Sequence, residues 1–535
     1  MWIQKNRGLL VCFSLLAILF VAEYFQLRSS KYMVDDAYIS FRYAKNFAEG
    51  QGLVFNQGER VEGYSNLLLV LILSAFIKTG FEPAVVSLTI GHLSGLAVII
   101  VIFLLSNLTA NRLSSSSLIV PFLLAINPLF SFWSNGGLET QLNTLLLTLS
   151  VFLFYRIYLR NEKKYSKYYI VTTVFFILNR PENFLLVMAS WVWLIFFNIR
   201  NPKEFFCEEV GNVSIIMVFL ILLFAWRLFY YGYPLPNTVY AKGYYSSILL
   251  DGDISIFMFI QKLFTNSFAI SYINNFLQNI GGVFVILFAL VSLFFTKPKG
   301  LVFYLYFVIT FYVGLVLWNR GDWMRNYRLF VPVIPLVFFL VLEGYRVLIV
   351  RVRSKFAVNI LSGFFIVFFV AFTFKVSHVT ENKRVTALGN LGKTLNKVLS
   401  SSDLLATPVL GNISYNYYGK VLDMNGLTDN YIAHNGRSTR MGKKDFVFVL
   451  SNDPTYLSLI SLGGIAYHYI NNRETMAAIK EFVYFDNSDH QKLEMYFFVR
   501  KDKLTTSPIE NLFPNGEFVD INPELFQRLG ITLSQ

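Results

Sequence analysis

Apolar segments long enough to cross a lipid bilayer recur along the first two thirds of this chain. A spanning helix needs about 17 to 25 mostly apolar residues, and about eleven segments come near that length. They are residues 9–25, 85–105, 118–133, 138–158, 168–178, 184–197, 213–229, 282–295, 301–318, 329–348 and 356–374. The chain of 535 residues is 55% hydrophobic and only 15% charged, which a soluble fold of this size does not bury. The sequence therefore predicts a polytopic α-helical membrane protein.

The positions of Lys and Arg predict how these helices are oriented. Lys5 and Arg7 precede the first apolar segment, and a strongly basic loop lies at residues 160–167. Because positively charged loops stay in the cytoplasm, the first polar loop, residues 28–83, is predicted on the other side. The short apolar run at residues 67–77 then fits a re-entrant or interfacial helix better than a crossing. The formal charge of +13 follows the same bias and does not indicate a nucleic-acid partner.

A change in pattern near residue 377 predicts two domains. Residues 1–376 are expected to form the membrane domain, and residues 377–535 an α/β domain outside the cytoplasm. In the second part the apolar runs are too short to span a bilayer. Leucines at helical spacing predict a helix over residues 386–399. Predicted strands lie at residues 446–450, 465–469 and 496–499.

The loop at residues 28–83 contains two adjacent carboxylates, Asp35 and Asp36. In an irregular loop such neighbours can converge on one task, whereas on a helix they would diverge by about 100 degrees. Asp36 and Asp35 are candidate catalytic residues, one acting as general base, and also candidate ligands for a divalent cation such as Mg²⁺ or Mn²⁺. The alternative interpretation is a solvated acidic pair beside the membrane.

Several cationic side chains fall at the predicted outer ends of helices, against the usual loop bias. They are Arg180, Lys242, Arg320, Arg325 and Arg328. Guanidinium and ammonium groups bind phosphate oxygens through charge-assisted hydrogen bonds. Candidate ligands for a lipid phosphate are therefore Arg180, Lys242, Arg325 and Arg328. The alternative is that these side chains reach toward ordinary lipid headgroups.

Acidic residues accompany these cations at two predicted helix ends. Pro181 cannot continue a helix, so Arg180 and Glu182 are expected to face a water-filled cavity where the chain breaks. Glu139, at the outer end of another segment, is either a site residue or only a helix N-cap.

One long motif and several short ones recur in order along the chain. The first loop reads DDAYISFRYAKNFAEGQGLVFNQGERVEGYSN at residues 35–66. The shorter motifs are GGLET at 136–140, NRPE at 179–182, YPLPNTVYAK at 233–242, GDWM at 321–324 and GLTD at 426–429. Together they resemble the membrane GT-C glycosyltransferases related to the terminal arabinofuranosyltransferases of mycobacterial cell walls. The resemblance covers most of the chain and thins out after about residue 440.

This resemblance implies a polyprenyl-phosphate sugar donor and a catalytic acid in the first extracytoplasmic loop. It places that catalytic role on Asp35 and Asp36. Other polar residues of the matching motifs are candidate substrate-binding residues: Arg42, Glu62, Tyr64, Glu139, Glu182, Asn237 and Asp322. The resemblance does not identify the sugar or the acceptor.

These observations predict a glycosyltransferase of the bacterial inner membrane. It would move a sugar from a polyprenyl-phosphate donor to a cell-envelope acceptor, a glycan or a glycolipid such as lipopolysaccharide, on the extracytoplasmic face. The cations would stabilise the leaving phosphate, and a carboxylate would deprotonate the acceptor hydroxyl or hold a divalent ion. A flippase for lipid-linked sugars is the alternative, although no internal repeat typical of transporters is evident. A non-catalytic envelope scaffold would leave the crowded first loop unexplained.

Overall fold

The structure is a computed structural model and is mainly α-helical. It describes residues 7–28, 33–110, 115–197, 202–242, 267–295, 300–318, 322, 324–351, 383–398, 400, 402–439, 442–459, 482–486, 496–503 and 517–520, with single positions at 356, 360, 363 and 367. Up to residue 351 the described secondary structure is entirely helical, and a mixed sheet follows after residue 403.

Fifteen α-helices are described up to residue 351. They are α1 (Arg7–Arg28), α2 (Ala37–Ala48), α3 (Leu67–Lys78), α4 (Pro83–Thr109), α5 (Ile119–Ile126), α6 (Pro128–Ser134), α7 (Thr140–Phe154), α8 (Ser166–Asn179), α9 (Asn183–Phe197), α10 (Pro202–Tyr231), α11 (Asn237–Lys242), α12 (Ser267–Ile280), α13 (Gly282–Phe295), α14 (Leu301–Trp318) and α15 (Ile334–Arg351). A π-helical turn, Tyr155–Leu159, extends α7, and a 3₁₀ segment, Arg325–Val333, leads into α15.

The described helices include five that are long and apolar enough to cross a membrane. They are Gly8–Leu27, Pro83–Thr109, Thr140–Leu159, Glu209–Tyr231 and Asn326–Arg351. Two bent pairs raise the number to seven if each pair counts as one span. The predicted polytopic helical membrane fold is confirmed, but this range is smaller than the roughly eleven crossings expected from the span-length rule. Several apolar segments form half-length or bent helices instead of straight spans.

Two of these interruptions follow from local sequence. Asn127 caps α6 by accepting a hydrogen bond from the Phe130 N–H at 2.9 Å, and α5 and α6 meet there at 62°. The predicted break at Pro181 is confirmed, because α8 ends at Asn179 and α9 begins at Asn183. The run at residues 67–77 forms α3, which at about 18 Å is too short to span. The predicted segment 356–374 lies outside the described residues except for four helical positions.

Close helix packing depends on small residues and aromatic stacking. A Cβ at Gly91 of α4 would lie 2.1 Å from the carbonyl oxygen of Ser134, so only glycine lets α4 approach α6 this closely. Gly344 of α15 similarly faces the Phe288 carbonyl of α13, at 1.9 Å from an added Cβ. Between α7 and α14, the rings of Phe154 and Tyr304 stack at 3.8 Å. These contacts hold the helix ends that carry the polar motifs.

A smaller α/β unit follows the helices. Its helices are α16 (Lys383–Val398), α17 (Asn412–Asn416), α18 (Asn430–Asn435) and α19 (Phe446–Ser451). Its strands are β1 (Leu404–Thr407), β2 (Lys420–Asp423), β3 (Arg437–Thr439), β4 (Gly442–Lys444), β5 (Tyr456–Leu459), β6 (Phe482–Asp486), β7 (Tyr496–Arg500) and β8 (Glu517–Asp520). Six form one sheet in the order β2-β1-β5-β7-β6-β8, and β3 pairs with β4 separately. Strand β1 is parallel to β2 and β5, and the other pairs are antiparallel.

Of the four elements predicted in this unit, two are confirmed, one is wrong and one lies outside the described residues. The predicted helix at 386–399 is α16, and its buried Leu388, Leu391 and Leu395 face the core. The predicted strand at 496–499 is β7. The predicted strand at 446–450 is wrong, because these residues form α19, whose first turn is capped by Asp445 accepting the Phe448 N–H at 2.9 Å. The predicted strand at 465–469 lies outside the described residues.

The first loop lies between the helices and the α/β unit. Its helix α2 packs against α3 on one side and against α17 on the other. The Arg42 side chain reaches from α2 into the α/β unit, where it donates hydrogen bonds to backbone carbonyls. The first loop therefore belongs structurally to both parts of the molecule.

Candidate active site

Asp36 stands immediately before α2 with its carboxylate unengaged. Its side chain makes no capping hydrogen bond, and it forms no hydrogen bond or ion pair within 4.0 Å to any residue that the structure describes. Burial raises the pKa of Asp36 above its ordinary value, and the nearby Lys242 and Arg328 offset part of that rise. An unpaired carboxylate with a raised pKa, facing cations, is suited to accept a proton.

Asp35, in contrast to Asp36, is hydrogen-bonded to the α/β unit. Its two carboxylate oxygens accept hydrogen bonds from the backbone N–H groups of Gly411, at 3.0 Å, and Asn412, at 2.9 Å. Burial raises the pKa of Asp35 to about 6, although these two donors pull it down. The structure therefore separates the two adjacent aspartates, since one is bound by backbone and the other faces charged side chains.

Glu139, Arg180 and Glu182 form an ion-paired triad beside Asp36. Arg180 donates to Glu139 at 2.7 Å and to Glu182 at 2.6 Å, while Asn66 donates to the second oxygen of Glu139 at 2.9 Å. Burial alone would raise the pKa of Glu139, but Arg180 and Arg328 bring it below its usual value. Glu139 occupies the N-cap position of α7 without a capping hydrogen bond. Its side chain therefore serves the triad and does not cap the helix.

Lys242 and Arg328 supply the remaining positive charge. Arg328 donates to Asp322 at 2.8 Å. Lys242, the last residue of α11, has no carboxylate within ion-pair distance among the described residues. Burial lowers the pKa of Lys242, and the field of Asp36 opposes that shift. Lys242 is nevertheless solvent-exposed in the described structure, so its ammonium group is open to a ligand.

Seven charged side chains near Asp36 interact electrostatically and form a single group, called here the charged cluster. Its members are Asp36, Glu139, Arg180, Glu182, Lys242, Asp322 and Arg328. Three of the carboxylates are paired with arginine, which leaves Asp36 and Lys242 as the two members without an ion-pair partner in the described part of the chain. The structure therefore brings together predicted residues from five separate motifs.

The cluster shows no arrangement typical of a dedicated metal site. Among the residues described, no group of three or more His, Cys, Asp or Glu side chains is placed to hold a metal ion. Both oxygens of Asp35 already accept N–H groups. The charged neighbours of Asp36 are two cations, which would repel a divalent ion, and two carboxylates, which are already paired with arginine. The present donor set does not fit a bound cation, and the proposal that Asp35 or Asp36 binds one stays a prediction.

Four predicted substrate-binding residues lie away from the cluster, in buried contacts. Glu62 forms a bidentate pair with Arg227 of α10, with N···O distances of 3.0 to 3.1 Å. The Tyr64 hydroxyl lies 2.9 Å from that of Tyr231. The structure does not support substrate contact by Glu62 or Tyr64, because both residues are about 2% exposed and their polar side-chain atoms are already hydrogen-bonded.

The other two, Arg42 and Asn237, fasten polar loops to the α/β unit. Arg42 donates to the carbonyls of Tyr417 and Gly419 at 3.0 Å each. Asn237 donates to the Gly426 carbonyl at 2.8 Å, within the GLTD motif. Both side chains are buried, so the geometry gives them a role in holding the loops and not in binding substrate.

The predicted phosphate ligand Arg325 and the nearby cation Arg320 have little or no described side-chain geometry. Arg320 lies outside the described residues, and only the backbone of Arg325 is described. Arg180 is described, but its guanidinium is already shared between two carboxylates. Lys242 and Arg328 are therefore the predicted phosphate ligands that the geometry favours.

The sequence-based search missed Asn66 and Arg227. Asn66 ends the long motif of the first loop and bridges Ser40 to Glu139. Arg227 lies inside an apolar segment, where a charge is costly and usually paired. The position of Arg227 inside an apolar segment therefore predicts a buried acidic partner, such as Glu62.

Comparisons with known proteins bear on the fold. No protein-family model matches the chain, and no curated protein matches it by sequence. Among solved structures, ArnT from Cupriavidus metallidurans in the apo state matches with a TM-score of 0.52 and 10% identity, over 92% of this chain and 98% of that one. ArnT bound to undecaprenyl phosphate matches with a TM-score of 0.51.

A second match is the oligosaccharyltransferase from Archaeoglobus fulgidus, solved with a tethered acceptor peptide. Its TM-score is 0.52 at 12% identity, over 98% of this chain and 77% of that one. At such low identity these matches concern the fold alone. They agree with the fold implied by the first-loop motif, whereas the closer resemblance to mycobacterial enzymes stays a prediction. The chain has the fold of the GT-C membrane glycosyltransferases.

Proposed function

We propose that this protein transfers a sugar from a polyprenyl-phosphate donor to a hydroxyl group of a cell-envelope glycan or glycolipid. The single observation that carries the proposal is the unpaired carboxylate of Asp36, which lies within the electrostatic field of Lys242 and Arg328. A base and a phosphate-binding pair at one site are the two parts that this reaction requires.

The proposed reaction needs one proton transfer and one displacement at the anomeric carbon. The bond between the anomeric carbon and the phosphate oxygen breaks, and a bond from that carbon to the acceptor oxygen forms. Asp36 takes the proton of the acceptor hydroxyl, and its raised pKa makes it a stronger base than an ordinary aspartate. The polyprenyl phosphate leaves with added negative charge, which Lys242 and Arg328 stabilise.

The ion-paired triad would hold the site open and oriented for this step. Arg180 fixes Glu139 and Glu182 at the break between α8 and α9. Their remaining lone pairs can accept hydrogen bonds from sugar hydroxyls, and carboxylates are strong acceptors for such bonds. Glu139, Glu182 and Asp322 are therefore the predicted substrate-binding residues kept in the proposal.

Both structural neighbours support this choice of partners. One ArnT structure contains undecaprenyl phosphate, and the oligosaccharyltransferase structure contains an acceptor peptide. A polyprenyl phosphate and a separate acceptor are the same two kinds of partner proposed here. The likeness to mycobacterial arabinofuranosyltransferases adds a pentose as one donor sugar to be assayed.

The proposed location is the bacterial inner membrane, with the charged cluster on the extracytoplasmic side. The support is the charge bias of the loops, since Lys5, Arg7 and the basic run at 160–167 are expected in the cytoplasm. Labelling of single cysteines placed at positions 45, 163 and 440 tests this topology from outside intact cells. Labelling at position 163 would contradict it.

Proteoliposomes containing the purified protein test the proposed activity. Radiolabelled polyprenyl-phosphate sugars are incorporated together with a membrane extract as acceptor, and transfer and flipping are measured in parallel. Transfer of the label to the acceptor is the expected result. Movement of the donor across the bilayer without transfer would replace the proposal with the flippase alternative, and neither activity would favour the scaffold.

A further inference from the structure

The segment from Gly411 to Gly419 of the α/β unit is hydrogen-bonded to the first loop next to Asp36. Its first two backbone N–H groups donate to Asp35. Its later carbonyls, at Tyr417 and Gly419, accept hydrogen bonds from Arg42. The start of α2 is therefore bound on both sides of Asp36 in sequence by one segment, here called the clamp segment.

The contact between Asp35 and the clamp segment is very close. A Cβ built on Gly411 would lie 2.0 Å from the Asp35 carbonyl oxygen and 2.3 Å from its carboxyl group. No side chain larger than that of glycine fits there without displacing the Asp35 backbone. The contact between Gly411 and Asp35 therefore sets the position of residue 35, and through the backbone that of residue 36.

Asp36 has no contact of its own that would fix its direction. Its carboxylate forms no hydrogen bond within the described part of the chain, so its placement depends on the backbone to which it is attached. That backbone is held by Asp35 on one side. On the other, Tyr38 and Phe41 of α2 pack against Tyr415 of the clamp segment.

We propose that Asp35 is a positioning residue through which the α/β unit holds Asp36 at the point of proton transfer. The inference rests on the proposed function and extends it, because it makes the clamp segment part of what the reaction needs. Displacing a base by about 1 Å can slow an enzyme about 10²-fold while leaving the chemistry of every group unchanged.

Gly411→Ala tests this inference without altering any member of the charged cluster. The matched control is Gly211→Ala in α10, where an added Cβ meets nothing within 4 Å. We expect Gly411→Ala to lower kcat for sugar transfer about 10- to 100-fold. Binding of polyprenyl phosphate should stay within about twofold of wild type, since Lys242 and Arg328 are untouched, and Gly211→Ala should keep wild-type kcat.

Asp35→Asn provides a second variant if Gly411→Ala does not fold. The asparagine keeps one acceptor oxygen but turns an NH₂ group toward the other N–H donor. We expect faster hydrogen exchange at the amides of residues 411 and 412, together with a fall in kcat at unchanged donor binding.

Three results would overturn the inference. One is wild-type kcat in both variants of a protein that transfers sugar. Another is a parallel loss of kcat, donor-binding stoichiometry and melting temperature, which indicates a structural role only. The third is a wild-type protein without transfer activity, which overturns the proposed function as well and so is distinguishable from the other two.

Discussion

Two groups of charged residues involve the first loop, and they differ in how completely they are paired and buried. Glu62 and Arg227 satisfy each other through three short N···O contacts, with side chains 1% and 4% exposed. The charged cluster has more members and retains two without a partner in the described residues, Asp36 and Lys242. The buried pair presents almost no accessible surface to a substrate, whereas Asp36 and Lys242 keep solvent-accessible surface. Incomplete pairing therefore distinguishes a reactive site from a structural ion pair here.

The largest expected effect on stability comes from breaking the complete pair. Glu62→Gln should lower the free energy of unfolding by about 3–5 kcal/mol, because it leaves the Arg227 charge buried without its counter-charge. Denaturant unfolding in detergent micelles measures this change. Asp502→Asn, at an exposed ion pair with Arg500, is the control and should cost at most about 1 kcal/mol.

Replacing both partners tests whether the cost of Glu62→Gln comes from the unpaired Arg227 charge. Glu62→Met combined with Arg227→Met should recover most of the lost stability, since a buried pair can often be exchanged for apolar groups at little cost. Sugar transfer per folded molecule should remain near wild type in the double variant. A small cost for Glu62→Gln alone would show that this pair is not the structural element described here.

The next effect in size is on donor binding. Lys242→Ala should weaken the binding of polyprenyl phosphate by about 1.5–3 kcal/mol, the usual value of a hydrogen bond to a charged group. This corresponds to roughly a 10- to 150-fold higher Kd. Titration of the lipid into protein in nanodiscs measures it. Lys78→Ala, at the exposed end of α3, is the matched control, and an equal loss there would favour general attraction to headgroups.

The smallest effect concerns a carboxylate with one backbone partner. Asp445 caps α19 by accepting the N–H of Phe448, so Asp445→Ala should cost about 1 kcal/mol of stability. Thermal unfolding followed by circular dichroism checks this value, and transfer activity per folded molecule should not change. No change in stability would mean that the helix at 446–451 does not depend on its cap.

Sequence patterns predicted the helical membrane fold, the break at Pro181 and all seven members of the charged cluster. They could not separate Asp35 from Asp36, because the groups that bind Asp35 lie at Gly411 and Asn412, far along the chain. Sequence patterns also could not show that Glu62 and Tyr64 are buried away from the charged cluster. Belonging to the same motif as Asp36 does not reveal which way a side chain points. The strand prediction at 446–450 was wrong because it relied on the β-forming residues there. It did not consider that Asp445 could cap a helix.

Sugar transfer and donor binding, measured on the same samples of wild type and Asp36→Asn, test directly whether Asp36 is the base. If Asp36 is the base and the cations hold the phosphate, transfer should fall about 10²- to 10⁴-fold. The Kd for polyprenyl phosphate should stay the same or decrease, because a negative charge has been removed beside Lys242. Stability should not decrease, in contrast to Glu62→Gln. EDTA added to the wild type tests the predicted divalent cation in the same assay. Near-wild-type transfer by Asp36→Asn would contradict the account.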